Sequence, residues 1–213
     1  IMKSQTKMGK KLDKILKNKL KNIKKAKPIL TFPDGSKYYG MTKRNPKNNK
    51  KLLADGLGFS KWPDGQYYEG QYENGLFHGW GQYIVPRSHI LVGLWKNGFI
   101  SEGEMRWNDG RKYFGSFKKS KYHGFGVMNY SGNIIYEGNW KNNLADGEGK
   151  FMILKSNKHD KKGTIIKGKF KKGQQHGRFE KIFPNGTVMD CIFVNGICTK
   201  GKWKNEKKWT LFK

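Results

Sequence analysis

The chain has 213 residues and a formal net charge of +28, from 44 lysines and arginines against 16 acids. Its 35% hydrophobic and 14% aromatic content and mean hydropathy of -0.85 suit a thin sheet with two wetted faces better than a thick core. No run approaches the roughly 18 apolar residues of a membrane-spanning helix, and no secretory apolar segment is visible.

The first element is a helix. Residues 1 to 27 hold eleven lysines against Asp13 alone, and Met8, Leu12, Ile15, Leu16, Leu20 and Ile23 recur at helical spacing. The pattern predicts a basic amphipathic helix over Lys7 to Lys27, ended before Pro28, with Lys10, Lys11, Lys14, Lys17, Lys21, Lys24 and Lys25 as candidate partner contacts. Such a helix lies on anionic membrane, fills a partner's groove or directs the chain to an organelle. Alternatively, it packs on the first hairpin with its lysines solvated.

Residues 28 to 203 repeat one phrase. Its first half reads Tyr68, Gly70, Tyr72, and its second Gly79, Gly81, Tyr83. The central glycine returns at Gly40, Gly70, Gly93, Gly115, Gly138 and Gly168, with Cys191 in that place in a last, degenerate unit, giving about seven units. Tyr113, Gly115 and Phe117 answer Gly124 and Gly126, and Tyr136, Gly138 and Trp140 answer Gly147 and Gly149. In a strand, residues two apart share a face, so each aromatic is expected to lie over a neighbouring strand's glycine.

Asn74-Gly75, Asn97-Gly98 and Asn195-Gly196 inside units are hairpin turns, as are Asp34-Gly35, Asp64-Gly65, Asp109-Gly110, Ser131-Gly132 and Asn185-Gly186 between units, both central residues taking positive φ. The predicted fold is all-β, an elongated, curved, single-layer antiparallel sheet of consecutive hairpins, stabilised by stacking units in a row. The inserts Lys43 to Leu53 and Leu154 to Lys162 read as solvated loops.

The phrase Y-x-G-x-(W/Y/F), a turn, then G-x-G-x-(Y/F/M)-x-(W/Y) resembles the MORN repeat over about Phe32 to Trp203. Tyr136 to Trp140 with Gly147 to Phe151 is a very close match, and Tyr113 to Phe117 with His123 to Tyr130 nearly as close. Leu91-Val92-Gly93-Leu94-Trp95 lacks the leading Tyr, and the unit around Cys191 has lost its glycines. The resemblance implies a non-catalytic scaffold of large assemblies, ciliary axonemal or cytoskeletal, docking on acidic protein such as tubulin. Phospholipid binding was an early proposal for the repeat.

The remaining residues support no chemistry. His78, His123 and His176 precede a repeat glycine, but Asp55 and Asp146 fill the same slot, which points to a local hydrogen-bonding role. Glu69 and Glu137 fall opposite the aromatics, where cross-strand pairing with lysine is the ordinary use. Cys191 and Cys198 flank a turn on a diagonal too long for a disulfide, so two free thiols are expected. No metal cluster or nucleophile pattern is present, the segments outside the repeats are short, and neither catalysis, cofactor nor small-molecule substrate is expected.

Residues 204 to 213, with Trp203, Trp209 and Phe212, form either an end cap or a partner contact. Against the scaffold stand two alternatives, a peripheral protein held to anionic lipid by residues 1 to 27, and a subunit of an organellar or ribonucleoprotein complex. Because lysine far outnumbers arginine, the charge suits diffuse attraction rather than base readout, and aromatics committed to covering glycines leave no stacking platform for RNA. The expected location is cytoplasmic, on the cytoskeleton or in an axoneme, with an organelle such as the mitochondrion as the alternative.

Overall fold

The computed structural model describes residues 18, 20 to 24, 27 to 204 and 210 to 211. Lys10, Lys11, Lys14, Lys17, Lys25, Trp209 and Phe212 lie outside the described residues. The fold is all-β, hairpin after hairpin, and divides into unit 1, Ile1–Met105, and unit 2, Arg106–Lys213.

Unit 1 carries β1 (Leu30–Thr31), β2 (Lys37–Asn45), β3 (Asn48–Lys61), β4 (Tyr67–Glu73), β5 (Leu76–Val85), β6 (His89–Lys96) and all but the last two residues of β7 (Phe99–Trp107). Unit 2 carries β8 (Lys112–Lys118), β9 (Lys121–Tyr130), β10 (Ile134–Lys141), β11 (Leu144–Ile153), β12 (Ile165–Lys171), β13 (Gln174–Ile182), β14 (Val188–Val194), β15 (Ile197–Trp203) and β16 (Thr210–Leu211). Within each unit the strands lie in sequence order.

The register aligns the central glycines. In unit 1 Gly40 faces Gly58, Gly58 faces Gly70, Gly70 faces Gly81 and Gly81 faces Gly93. In unit 2 the row runs Gly115, Gly126, Gly138, Gly149 and Gly168, then continues as Phe179, Cys191 and Gly201. The glycine pattern therefore sets the register, because a slip of one residue would drive side chains into the rings that cover the row.

The two glycines of the G-x-G half-phrase have different reasons to be there. Gly79 sits at φ 58, beside a register shift between Gly70 and Gln71, so it makes a bulge within the strand. Gly126 needs space instead. A Cβ there would stand 2.6 Å from Tyr113 Cζ.

The turns follow two chemistries, not one. Asn74-Gly75, Asn97-Gly98 and Asn195-Gly196 have both central residues at positive φ, and so do Lys119-Ser120, Asn142-Asn143 and Lys172-Gly173, which carry weaker sequence signals. The Asp-Gly and Asn185-Gly186 turns differ from expectation, since Asp34, Asp64, Asp109 and Asn185 are not at positive φ and only the glycine is. Pro33, Pro63 and Pro184 stand before three of them and favour a type I turn closed by a left-handed glycine. The acid or amide then caps the turn, as Asp64 Oδ1 accepts from the Gln66 amide at 2.9 Å and Asn185 Oδ1 from the Thr187 amide at 3.1 Å.

The inserts divide. Lys43 to Leu53 is an extension of the β2–β3 hairpin, with Lys43 opposite Leu53 and Arg44 opposite Leu52, rather than a loop. Its residues are mostly exposed, so alternation is absent from the sequence while the backbone ladder forms regardless. Leu154 to Lys162 is irregular, and Lys181 Nζ pins it by an ion pair of 2.6 Å to Asp160.

Candidate interaction surfaces

The aromatic face of each unit is closed by its own side chains. Tyr68 covers Gly70 and Gly81, Tyr113 covers Gly115 and Gly126, and Tyr136 covers Gly138 and Gly149. Each ring lies along its strand, and its hydroxyl donates to the carbonyl three residues on: Tyr68 to Gln71 at 3.0 Å, Tyr113 to Ser116 at 2.9 Å, Tyr136 to Asn139 at 3.1 Å. Phenylalanine would cover the glycine equally well and forfeit that bond.

The second aromatic of a phrase stands edge-on to the leading tyrosine of the unit before it. Tyr113 and Trp140 meet at 5.5 Å and 89°, Tyr68 and Trp95 at 5.3 Å and 86°. Trp95 and Trp140 donate their indole N–H to the carbonyls of Gly81 and Gly126, each at 3.1 Å, while Tyr72 donates to Ser60 Oγ at 2.7 Å. Tyr113 meets Phe117 at 5.1 Å, so that ring joins the same ladder. Burial raises the phenols of Tyr68, Tyr72, Tyr113 and Tyr136 far above their ordinary value. Where the leading tyrosine is replaced by Leu91, Ile100, 1% exposed, packs toward Gly103.

Where the slot before the first glycine holds an aspartate, it serves the neighbouring turn. Asp55 Oδ2 accepts from the Asn74 amide at 3.1 Å and pairs with Lys43 at 2.7 Å, while Asp146 Oδ2 accepts from the Lys172 amide at 3.1 Å. Hydrogen bonds from Lys43, then from Asn74, hold Asp55 below the usual carboxylate range. His78 Nδ1 lies 3.0 Å from Glu73 Oε2. Among the described residues no three His, Cys, Asp or Glu side chains gather as a metal would require, and no helix is long and apolar enough to cross a membrane.

Cys191 occupies the glycine row opposite Gly201, and Cys198 faces Phe193. Both thiols are free. Burial, then the neighbouring Cys198, pushes the Cys191 thiol up to about 12.

The face opposite the aromatics differs between units. In unit 1 it is apolar: Tyr39 meets Phe59 at 5.8 Å and Phe59 meets Tyr67 at 5.6 Å. The described end of the helix, Asn18 and Leu20 to Ile23, ends here, closed by the Lys24 amide donating to the Leu20 carbonyl at 3.0 Å. Leu20 is 1% exposed, Lys24 Nζ lies 5.1 Å over the Phe59 ring and 5.6 Å over Tyr67, and it pairs with the buried Glu69.

In unit 2 the same repeat positions carry a ladder of charges. Glu137 pairs with Lys150 at 3.3 Å, Glu180 with Lys167 at 2.6 Å and Lys204 at 3.1 Å, and Arg178 with Asp190 at 2.7 Å. Two lysines on one carboxylate hold Glu180 below the usual range. Along the glycine row these side chains flank a shallow groove of about 530 Å³, with Gly138, Gly149 and Gly168 in its floor and Phe125, Lys150, Lys167 and Arg178 among its walls.

Four segments of this chain, residues 68–84, 113–133, 136–152 and 167–188, match the MORN repeat family. The chain carries MORN repeats at these four positions. Alsin from Mus musculus and from Homo sapiens is 44% identical to it over 48 residues, 20% of this chain. The match spans only 3% of the length of alsin. The G-box domain of the microcephaly protein CPAP aligns over 84% of this chain and 97% of its own at 14% identity, with a TM-score of 0.36. The TCP10 domain of Danio rerio CPAP, in complex with a STIL peptide, aligns over 85% and 96% at 14% identity, with a TM-score of 0.23.

The MORN repeats give the chain a scaffold or interaction role, and charge separates their two groups. Residues 28 to 105 hold nine basic residues and seven acidic ones, a net of +2, whereas residues 106 to 213 hold 24 and eight, a net of +16. Of the candidate partner residues, Lys21 is exposed and Lys24 is engaged by Glu69. Trp203 is 39% exposed and packs on Phe183 at 5.4 Å. Sequence reasoning passed over the lysines at the unit 2 turns, because charge at a turn reads as ordinary solvation until the register places several turns side by side.

Proposed function

We propose that this MORN-repeat protein is a non-catalytic subunit of a cytoskeletal assembly, ciliary axonemal or related, that docks on acidic protein through its lysines, tubulin being one candidate. What carries the reading is the contrast between the closed aromatic faces, which leave nothing for chemistry, and the excess of positive charge on the second group of repeats. Lysine attracts acidic surface without requiring a fixed fork of donors, as a scaffold contact demands. Leu20 and Lys24 engage the chain's own sheet, which weighs against the helix as a membrane anchor.

Detergent extraction of source cells, followed by blotting of the insoluble pellet, tests the proposal. The expected result is retention of the chain in a pellet that also holds tubulin. Release into the soluble fraction, or with the lipids, would overturn it.

A further inference from the structure

Unit 2 ends its in-unit hairpins in a row of lysines. Lys118 and Lys121 face each other across the first turn, Lys141 faces Leu144 across the second, and Lys171 faces Gln174 across the third. Lys119 and Lys172 add charge at the turn tips. All six lysines are exposed, and among the described residues none of them pairs with a carboxylate. By alternation from Phe117, Trp140, Phe170 and Phe193, the paired positions fall on the face opposite the aromatics.

Apolar side chains continue the same row. Leu144 is 47% exposed, Val194 47% and Ile197 68%, the last two facing each other across the turn after β14. Leu144 Cδ2 lies 3.4 Å from where a Cβ on Gly173 would stand, so it rests on the adjacent turn. Unit 1 has Glu73 opposite Leu76 in the matching place of β4–β5, its β4–β5 and β6–β7 tips are Asn74 and Asn97, and its own lysines gather instead along the β2–β3 extension at Lys43, Lys47, Lys50 and Lys51.

Backbone cost points the same way. Lys119 at φ 49, Ser120 at φ 59 and Lys172 at φ 50 hold left-handed conformations that asparagine and glycine tolerate better, and unit 1 uses Asn74 and Asn97 there. Two turns thus carry lysine where local stability favours another residue.

We infer that this rim of unit 2 is a docking site for an acidic, amphipathic segment of a partner protein. Carboxylates of the segment meet the lysines, and its apolar side chains cover Leu144, Val194 and Ile197. A nucleic acid would satisfy the lysines and leave those apolar side chains wet, and among the described residues the rim turns carry no exposed aromatic ring for base stacking, the exposed Phe125 lying further along β9. Neighbouring hairpins repeat about every 10 Å, so four turns span about 30 Å, the reach of roughly nine extended residues. The inference rests on the docking role proposed above and names its surface.

Anisotropy titration of the full chain with a labelled peptide of about twelve residues, glutamates with two leucines, reads the site directly. The combined reversal Lys118→Glu, Lys121→Glu, Lys141→Glu and Lys171→Glu is expected to weaken binding about tenfold or more. The equal reversal Lys37→Glu, Lys61→Glu, Arg87→Glu and Lys96→Glu in unit 1 is expected to change it less than about threefold. Leu144→Ser with Ile197→Ser keeps the charge and is expected to weaken the leucine-bearing peptide by about threefold while leaving an all-glutamate peptide unchanged. That pair decides the question if the rim reversal fails to fold. Equal loss from both reversals, no effect of the apolar pair, or tighter rim-dependent binding of a single-stranded RNA of equal charge would each overturn the inference. Fractionation of cells reads the assembly independently, so peptide binding can fail while the chain stays in the pellet.

Discussion

Units 1 and 2 use one phrase and the same aromatic ladder, yet they treat the face opposite that ladder in opposite ways. Unit 1 makes it apolar with Tyr39, Phe59 and Tyr67, and the end of the N-terminal helix covers it, with Glu69 held by Lys24. Unit 2 makes it ionic with Glu137, Lys150, Lys167 and Glu180 and adds turn lysines whose side chains pair with no carboxylate among the described residues. A repeat's structural half, the glycines and the rings over them, is therefore separable from the half that alternation sends to the other side. One half fixes the sheet, and the other is free to be covered in cis or offered to a partner.

The comparison is broken most severely at what the units share. Gly138→Val places a side chain 2.5 Å from the Gly149 Cα and 2.7 Å from the Glu148 carbonyl, and backbone cannot step aside as a flexible side chain does. A loss of about 3 kcal/mol or more is expected by chemical denaturation, as is a comparable loss for Gly70→Val in unit 1. Similar midpoints for the two variants and the parent chain would contradict the shared ladder.

The units part at the next level. Lys24→Ala leaves Glu69, 5% exposed, with its bond from Gln82 as the one side-chain partner among the described residues, and should cost about 2 kcal/mol. Lys150→Ala removes the partner of Glu137, itself 34% exposed, and should cost less than about 0.5 kcal/mol. Equal effects in urea melts would mean that the helix does not cover unit 1 in solution.

Replacing Lys119 by Asn and Ser120 by Gly gives the unit 2 turn the chemistry of Asn74-Gly75. A gain of about 1 kcal/mol is expected, with weaker peptide binding at the rim. A gain in stability with no change in affinity would separate Lys119 from the docking site.

The smallest effects come from titration. Asp55 and Glu180 have folded values below their unfolded ones, so their contribution is complete above about pH 4 and disappears as pH falls through the lower folded values. Cys191 has the opposite sign, since its raised value favours the folded thiol below about pH 8.5 and that contribution falls as pH rises toward about 12. At neutral pH an alkylating reagent should therefore label Cys198 and spare Cys191 until the chain unfolds.

Much of this was legible before any coordinates. Spacing two apart put Tyr113, Gly115 and Phe117 on one face, and Asn-Gly between alternating runs marked the hairpins, so strand order and the covering of glycine by tyrosine followed from local rules. The β2–β3 extension was illegible, because Lys43 to Leu53 buries almost nothing on either face and backbone pairing leaves no hydrophobic period. Turn geometry at Asp34 and Asp64 was misleading, since Asp-Gly fits two turn types and the preceding proline decides between them.

The repeat, the register along the glycine row and the sign of the charge are written in the order of residues, because each depends on neighbours in the chain or one strand away. Which lysines are engaged and which stand exposed follows from folding in three dimensions. Lys24 reaches Glu69 across 45 positions, and Lys118, Lys141 and Lys171 come together only because each hairpin sets its turn beside the next. Ion pairing and docking depend on distance in space, which a list of residues in order does not carry.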